Sequence, residues 1–279
     1  MSTTPSLEDL KRKALTVRKE IITSTTTAGS GHPTSSLSGV EVGVALYFGG
    51  VMKYDPKNPH WPQRDRFILS KGHAAPLLYA LLAEAGYFPR DLLPTLRKLG
   101  SPLEGHPNMR KLAGVEASTG SLGQGLSLGI GHCLAARLDK LDYRTYVMTG
   151  DGEIEEGQVW EAAMAAHKFQ LDNLCAIVDQ NGFQQTGPTS VVMDMKPLAP
   201  RWESFGWATI EINGNEIGEV MQAFKQAATI KGKPTVIISK TIKGWPIQNL
   251  LGSDKNHHGK PLTVEEEQKA LAFLDAETF

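Results

Sequence analysis

The second half of this chain alternates short apolar runs with longer amphipathic stretches, and that alternation constrains the fold more than any other feature. The runs are Tyr143 to Thr149, Leu174 to Asp179, Ala208 to Ile212 and Pro234 to Ser239. Helical patterns at Val159 to Phe169 and Ile217 to Thr229 separate most of them. Strands that alternate with helices predict an α/β fold: a mainly parallel sheet flanked by helices on both faces. Upstream, Leu7, Leu10, Ala14, Val17 and Ile21 recur at helical spacing after Ser6, an N-cap candidate, so a helix is expected from Ser6 to about Thr27. A second helix is expected over Leu37 to Phe48, a strand over Arg66 to Leu69, and a third helix in AAPLLYALLAEAG. With no repeat, low-complexity tract or linker, residues 1–279 read as a single domain. The polar stretch Lys243 to Pro261, ahead of a last helix from Thr263, is a long loop of the kind that usually carries function.

Composition narrows the function. The 29 Lys and Arg nearly cancel the 30 Asp and Glu, for a net charge of −1, so the excess of positive charge that nucleic-acid binding needs is missing. No apolar run approaches the roughly 18 residues of a membrane helix, and MSTTPSLEDLKRK contains no signal-peptide core. A cytoplasmic protein without membrane or nucleic-acid partners is expected. Cys133 and Cys175 have neither metal nor redox spacing and read as ordinary semi-buried thiols.

The most specific motif is Gly150-Asp151-Gly152, directly after the strand YVMT, with Asn181 directly after the strand LCAIVDQ. A right-handed crossover would set both strand ends on one sheet edge, where Asp151 and Asn181 face a common point. A carboxylate and an amide oxygen are hard donors suited to Mg²⁺ or Ca²⁺, and magnesium completes its shell with water and phosphate oxygens. The flanking glycines admit a ligand close to the backbone, and a helix starting near Ile154 would offer its positive end. Asp151, Glu153, Glu155 and Glu156 crowd six positions without a Lys or Arg, so a bare diphosphate would be repelled and a divalent cation must bridge it. A GDG taken alone would favour a turn followed by a solvated acidic helix start. The Asn one crossover later favours a site. His32, His73 and His106 each follow a glycine outside the helical patterns and are more available for chemistry than His132 or His167, and their wide spacing disfavours zinc. No dinucleotide-binding GxGxxG or Walker motif occurs.

The stretch MTGDGEIEEGQVWEAAMAAHKFQLDNLCAIVDQNGFQQTG resembles the thiamin-diphosphate motif, and in detail the transketolase family. The likeness extends to GSGHP, LSKGHAAPLLYALL, EGHPN and STGSLGQGLSLGIG, in the family's order. It implies thiamin diphosphate with Mg²⁺ or Ca²⁺, the metal held by Asp151, Asn181 and the backbone of Phe183. It also places Gly150 and Gly152 by the diphosphate with His73, and the turn Gly120, Ser121, Leu122 against the cofactor rings. His32 and His106 would touch sugar hydroxyls and the developing oxyanion. His258, in HHGKP, resembles a histidine near phosphate and substrate, and Glu156 one that relays protons where two cofactor-binding halves meet. Thr34 and Thr186 depart from the family, which commonly has Gly and Asp there. The family's activating glutamate resides in a pyrimidine-binding domain for which the 98 residues after Asn181 leave no room. The resemblance therefore implies the N-terminal subunit of a split transketolase, paired with a C-terminal subunit in an α2β2 heterotetramer and acting on sugar phosphates. The α subunit of a 2-oxoacid dehydrogenase, a stand-alone Mg²⁺-dependent phosphohydrolase and a non-catalytic binding module are the competing readings.

Overall fold

The computed structural model describes residues 5–251 and 256–276. Helix α1 (Leu7–Ala28) begins at a capping box, in which Ser6 and Asp9 each accept the other's backbone N–H, and ends at Gly29 in the left-handed conformation. The chain then reaches His32, which caps α2 (Pro33–Leu37), and continues into α3 (Val40–Phe48). The continuous helix expected over Leu37 to Phe48 is thus two. The break lies at Ser38 and Gly39, where the Ser38 hydroxyl donates to Asp179 (2.6 Å) and a Cβ on Gly39 would lie 2.6 Å from Met148. Close approach to the sheet draws the backbone out of helical register.

Strand β1 (Arg66–Leu69) leads to α4 (Ala75–Glu84), and α5 (Gln124–Leu138) precedes β2 (Thr145–Gly150). There follow α6 (Gly157–Lys168), β3 (Leu174–Gln180), α7 (Thr189–Val192), α8 (Leu198–Ser204) and β4 (Ala208–Asn213). Helix α9 (Ile217–Thr229), β5 (Thr235–Lys240) and α10 (Val264–Ala276) complete the fold. The five strands are all parallel, in the order β1-β2-β3-β5-β4.

The side chains of β3 show why its sequence is continuously apolar. Cys175 and Ile177 enter one core, with α1, α3, α4 and α9, while Ala176 and Val178 enter a second, with α5, α6 and α8. With helices on both faces, every position of such a strand is dry. Edge strand β4 keeps the alternation of a half-covered strand, with Ile210 and Ile212 buried and Glu211 exposed. Helix α8 has no counterpart in the sequence reading, yet it carries Trp202, fully buried against Trp207 at a centroid distance of 4.9 Å. Cys133 and Cys175 are fully buried rather than semi-buried, and burial pushes each thiol up to about 12. Among the described residues no helix is long and apolar enough to cross a membrane.

Candidate active site

Strand register builds the site. Gly150 pairs with Asp179 in neighbouring parallel strands, so Asp151 and Asn181 each leave the carboxyl edge just beyond a strand end. The Asp151 N–H donates to the Asp179 carbonyl at 3.2 Å, tying the two tips together. The same edge receives Lys71 and His73 just after β1 and Lys243 just after β5. Ligands of parallel α/β sheets bind at this edge.

A cavity of about 700 Å³ opens there, within the size range of small-molecule sites. It is lined by His32, His73, His106 and His258, by Gly120 and Leu122, by Gly150, Asp151, Gly152 and Glu156, and by Asn181 and Phe183. Of the candidate cofactor-binding, metal-ligating and catalytic residues, Ser121 alone does not line it; it is exposed, between two that do. In the long loop after β5, Lys255 lies outside the described residues.

Asp151 is buried, and both its oxygens accept backbone N–H groups: Oδ1 from Gly152 at 3.1 Å and Oδ2 from Gly182 at 2.7 Å. Gly182, at φ 82, adopts the left-handed conformation that turns its amide toward that carboxylate. Burial, then the charge of Asp179, pushes the Asp151 carboxyl up to about 7. The Asn181 amide is oriented by a carboxylate that can only accept: Nδ2 donates to Asp179 Oδ2 at 3.0 Å, while Oδ1 accepts the Phe183 N–H at 3.1 Å. Asp179 is itself buried and satisfied by Lys71, Ser38 and Thr241, and the Lys71 cation holds its carboxyl below the usual range. Beyond Asn181 the chain closes a tight loop, with Gln184 N–H to Gly187 O at 2.9 Å and Thr189 N–H to Gly182 O at 3.0 Å. Among the described residues no hydrogen bond takes up the Phe183 carbonyl.

The rings of His32, His73 and His258 form a triangle with centroid separations of 5.1, 4.9 and 5.3 Å. Burial, then the neighbouring His258 and Arg97, lowers His32 to about 3, and burial with Lys243 lowers His258 to about 4. His73 is held well below its ordinary value by burial and Lys71, and His106, exposed at the rim, is lowered by partial burial and Arg97. All four are neutral imidazoles near pH 7, able to donate and accept hydrogen bonds. Thr34, one of the departures from the family pattern, ties the His258 segment down: its hydroxyl donates to His257 O at 3.2 Å and its carbonyl accepts the Gly244 N–H at 3.1 Å.

Two expectations are corrected. Helix α6 starts at Gly157, not near Ile154, because Glu153–Glu155 forms a short 3-10 turn and Glu156 caps the helix. The turn exists because Glu153 folds inward, 3% exposed, to accept the Gly123 and Gly150 N–H groups and the Ser70 hydroxyl, so this carboxylate is not part of a solvated helix start. The site is also less uniformly acidic than its local sequence. Lys71 and Lys243, remote in the chain, line the cavity, the latter with Nζ 2.6 Å from Asn256 Oδ1 and 3.0 Å from His258 Nδ1. Their only sequence signals were the SKGH motif and the long loop after β5.

The site suits a metal-bridged diphosphate on its own chemistry. Among the described residues no three His, Cys, Asp or Glu are grouped to hold a metal. Asp151, Asn181 and Phe183 instead line one cavity, and a carboxylate, an amide and a backbone carbonyl are hard oxygen donors. Buried polar atoms without a protein partner, His32 Nδ1 and Glu155 Oε1, belong to residues of the cavity wall.

Residues 10–279 match the family model for "Transketolase, thiamine diphosphate binding domain". The chain belongs to the transketolase family. It is 44% identical over 269 residues to the 6-deoxy-6-sulfo-D-fructose transketolase subunit of Clostridium sp. (strain MSTE9), covering 96% of this chain and 97% of that one. It is 41% identical to an apulose-4-phosphate transketolase subunit from Phocaeicola vulgatus, covering 95% and 93%. Human transketolase is 46% identical over 92% of this chain, which spans only 40% of the human protein. Transketolase from Leishmania mexicana superposes with a TM-score of 0.88 at 31% identity, over 95% of this chain and 41% of that one. The match brings thiamin diphosphate with it as the family's cofactor and disfavours the 2-oxoacid dehydrogenase, phosphohydrolase and binding-module readings.

Proposed function

We propose that this chain is the diphosphate-binding subunit of a split transketolase, which moves a two-carbon ketol unit from a ketose phosphate to an aldose phosphate in pentose-phosphate-type chemistry. The observation that supports the reading is that Asp151, Asn181 and Phe183, beyond two neighbouring strand ends, line one cavity together with a cluster of neutral histidines.

Asp151, Asn181 and the Phe183 carbonyl would hold Mg²⁺, or Ca²⁺, against the cofactor diphosphate, with Gly150, Gly152 and His73 beside it and Lys71 and Lys243 adding positive charge. Gly120, Ser121 and Leu122 would lie against the rings, Ser121 through its backbone. Bound thiamin diphosphate supplies a stabilised carbanion for making and breaking a carbon–carbon bond next to a carbonyl. His32, His106 and His258, neutral at the operating pH, would bind sugar hydroxyls and move a proton at the substrate oxygen. Glu156, exposed at the start of α6, would face a second protein half and relay a proton there.

That half, with its pyrimidine-binding fold and activating glutamate, is proposed to be a separate chain in an α2β2 assembly in the cytoplasm. Two observations support a partner. The relatives named as subunits are covered almost end to end. Leu122, Leu128, Met164 and Phe169, on and around α5 and α6, are 37%, 42%, 55% and 45% exposed. The test is co-purification, mass identification of the companion and a ketol-transfer assay. Activity should require both chains, thiamin diphosphate and Mg²⁺. Oxidative decarboxylation of a 2-oxoacid by the pair, or release of phosphate from a sugar phosphate by this chain without thiamin, would overturn it.

A further inference from the structure

The Glu153 carboxylate lies at a junction of three chain segments that meet beneath the cavity. Oε1 accepts the Ser70 hydroxyl, at the end of β1, and the Gly123 N–H at 3.0 Å, in the turn before α5. Oε2 accepts the Gly150 N–H at 3.0 Å, at the end of β2. Ser70 Oγ in turn accepts the Gly125 N–H at 3.1 Å, extending the junction into the first turn of α5. Gly123 is in the left-handed conformation (φ 81), and a Cβ there would lie 3.1 Å from that of Glu156, so the turn leaves little room for a side chain.

We propose that Glu153 is a positioning residue, joining the Gly120–Gly123 turn to the strand tip that carries Asp151 and so fixing the distance between the two ends of the cofactor site. Backbone amides can only donate, and two of them, from different segments, meet different oxygens of the same side chain. A carboxylate satisfies both. An amide of the same shape cannot, because one of its two ends is itself a donor. In Glu153→Gln the nitrogen takes the Oε1 position, where the Ser70 hydroxyl can turn round and accept from it, whereas at Oε2 it would oppose the Gly150 N–H. The substitution therefore leaves the strand tip intact and releases the Gly123 N–H alone. Placing the cofactor rings at this turn rests on the function proposed above; the joining of the turn to the tip does not.

Two measurements test this. Backbone amide exchange in the full chain reports the junction without any ligand: in Glu153→Gln the Gly123 amide should exchange about tenfold faster, the effect of losing one buried hydrogen bond, while Gly150 keeps its protection. Ser70→Ala leaves both backbone bonds to Glu153 in place and should speed Gly125 but not Gly123. The second measurement is calorimetric, on the chain assembled with its companion. Thiamin diphosphate with Mg²⁺, which spans both ends, should bind about tenfold more weakly in Glu153→Gln, while inorganic diphosphate with Mg²⁺, which needs only the strand tip, should bind as in the wild type. Unchanged protection at Gly123, equal acceleration of Gly123 in both variants, or equal weakening of the two ligands would overturn the proposal. If the wild type binds neither ligand, the cofactor reading fails and amide exchange alone decides the role of Glu153.

Discussion

Asp151→Asn changes one atom at the centre of the site. The native carboxylate accepts the Gly182 N–H at 2.7 Å and the Gly152 N–H at 3.1 Å, both from backbone groups that cannot reverse. Asparagine has a single oxygen, so one amide must face a nitrogen, at a cost of roughly 2 kcal/mol for a lost charge-assisted bond and a buried orphan donor. The proposed metal would also lose its anionic protein ligand, in a cavity where Glu155 and Glu156 would oppose a diphosphate; taking that loss as at least about 1 kcal/mol, the total reaches about 3 kcal/mol, or roughly 150-fold in Kd. The assay is calorimetric titration of thiamin diphosphate at fixed Mg²⁺ on the assembled protein, with thermal melting of the cofactor-free chain to show that the variant folds. A folded variant whose Kd stays within about threefold of wild type would refute the reasoning.

Three further outcomes follow from the same geometry. His106→Ala, at the exposed rim, should leave cofactor affinity unchanged and lower turnover by about 100-fold or more, as loss of a proton-transfer group does; parallel loss of both would make the residue structural. His32 and His258 are lowered in the folded chain to about 3 and about 4, against 6.5 for an unperturbed histidine, because burial, then His258 and Arg97 for the first and Lys243 for the second, disfavour the charged rings. The unfolded chain therefore takes up protons first, so their contribution to stability is complete above about pH 6.5 and is lost as pH falls toward 4. The melting temperature should accordingly fall less between pH 7 and 5 in His32→Asn than in wild type. In Gly125→Ala, the new Cβ would lie 2.3 Å from Ser70 Oγ and 2.9 Å from the Ser70 Cα, which forces the α5 start away from β1. Overpacking of about 2 kcal/mol should lower the melting temperature by roughly 5 °C in differential scanning fluorimetry.

What the sequence disclosed and what it concealed divide along a physical line. Features set within one segment were legible. Short apolar runs disclosed all five strands, the Ser6 cap gave the start of α1, and Asp151 and Asn181 were placed by their positions after strands, since a crossover brings neighbouring parallel tips to one edge. Features set by distant segments were not. Glu153 reads as one acid in an acidic run, and only the approach of Ser70 and Gly123, 83 and 30 residues away, turns it inward. The break between α2 and α3 depends on Met148 and Asp179, which no local pattern in residues 37–48 reveals. Helix α8 is only about two turns, bounded by Pro197, too short for periodicity, and is held by Trp202 rather than by propensity. Lys243 entered the reading only as the first residue of a long loop, because its partners Asn256 and His258 lie across that loop.

The most direct test of the central claim is a crystal structure of the protein assembled with its companion, soaked with thiamin diphosphate and Mn²⁺ in place of Mg²⁺. An anomalous peak within bonding distance, about 2.1 Å, of an Asp151 oxygen, Asn181 Oδ1 and the Phe183 carbonyl, bridging to two phosphate oxygens, is the predicted result. A metal bound elsewhere, or a diphosphate held at this edge with no metal between it and Asp151, would contradict the account.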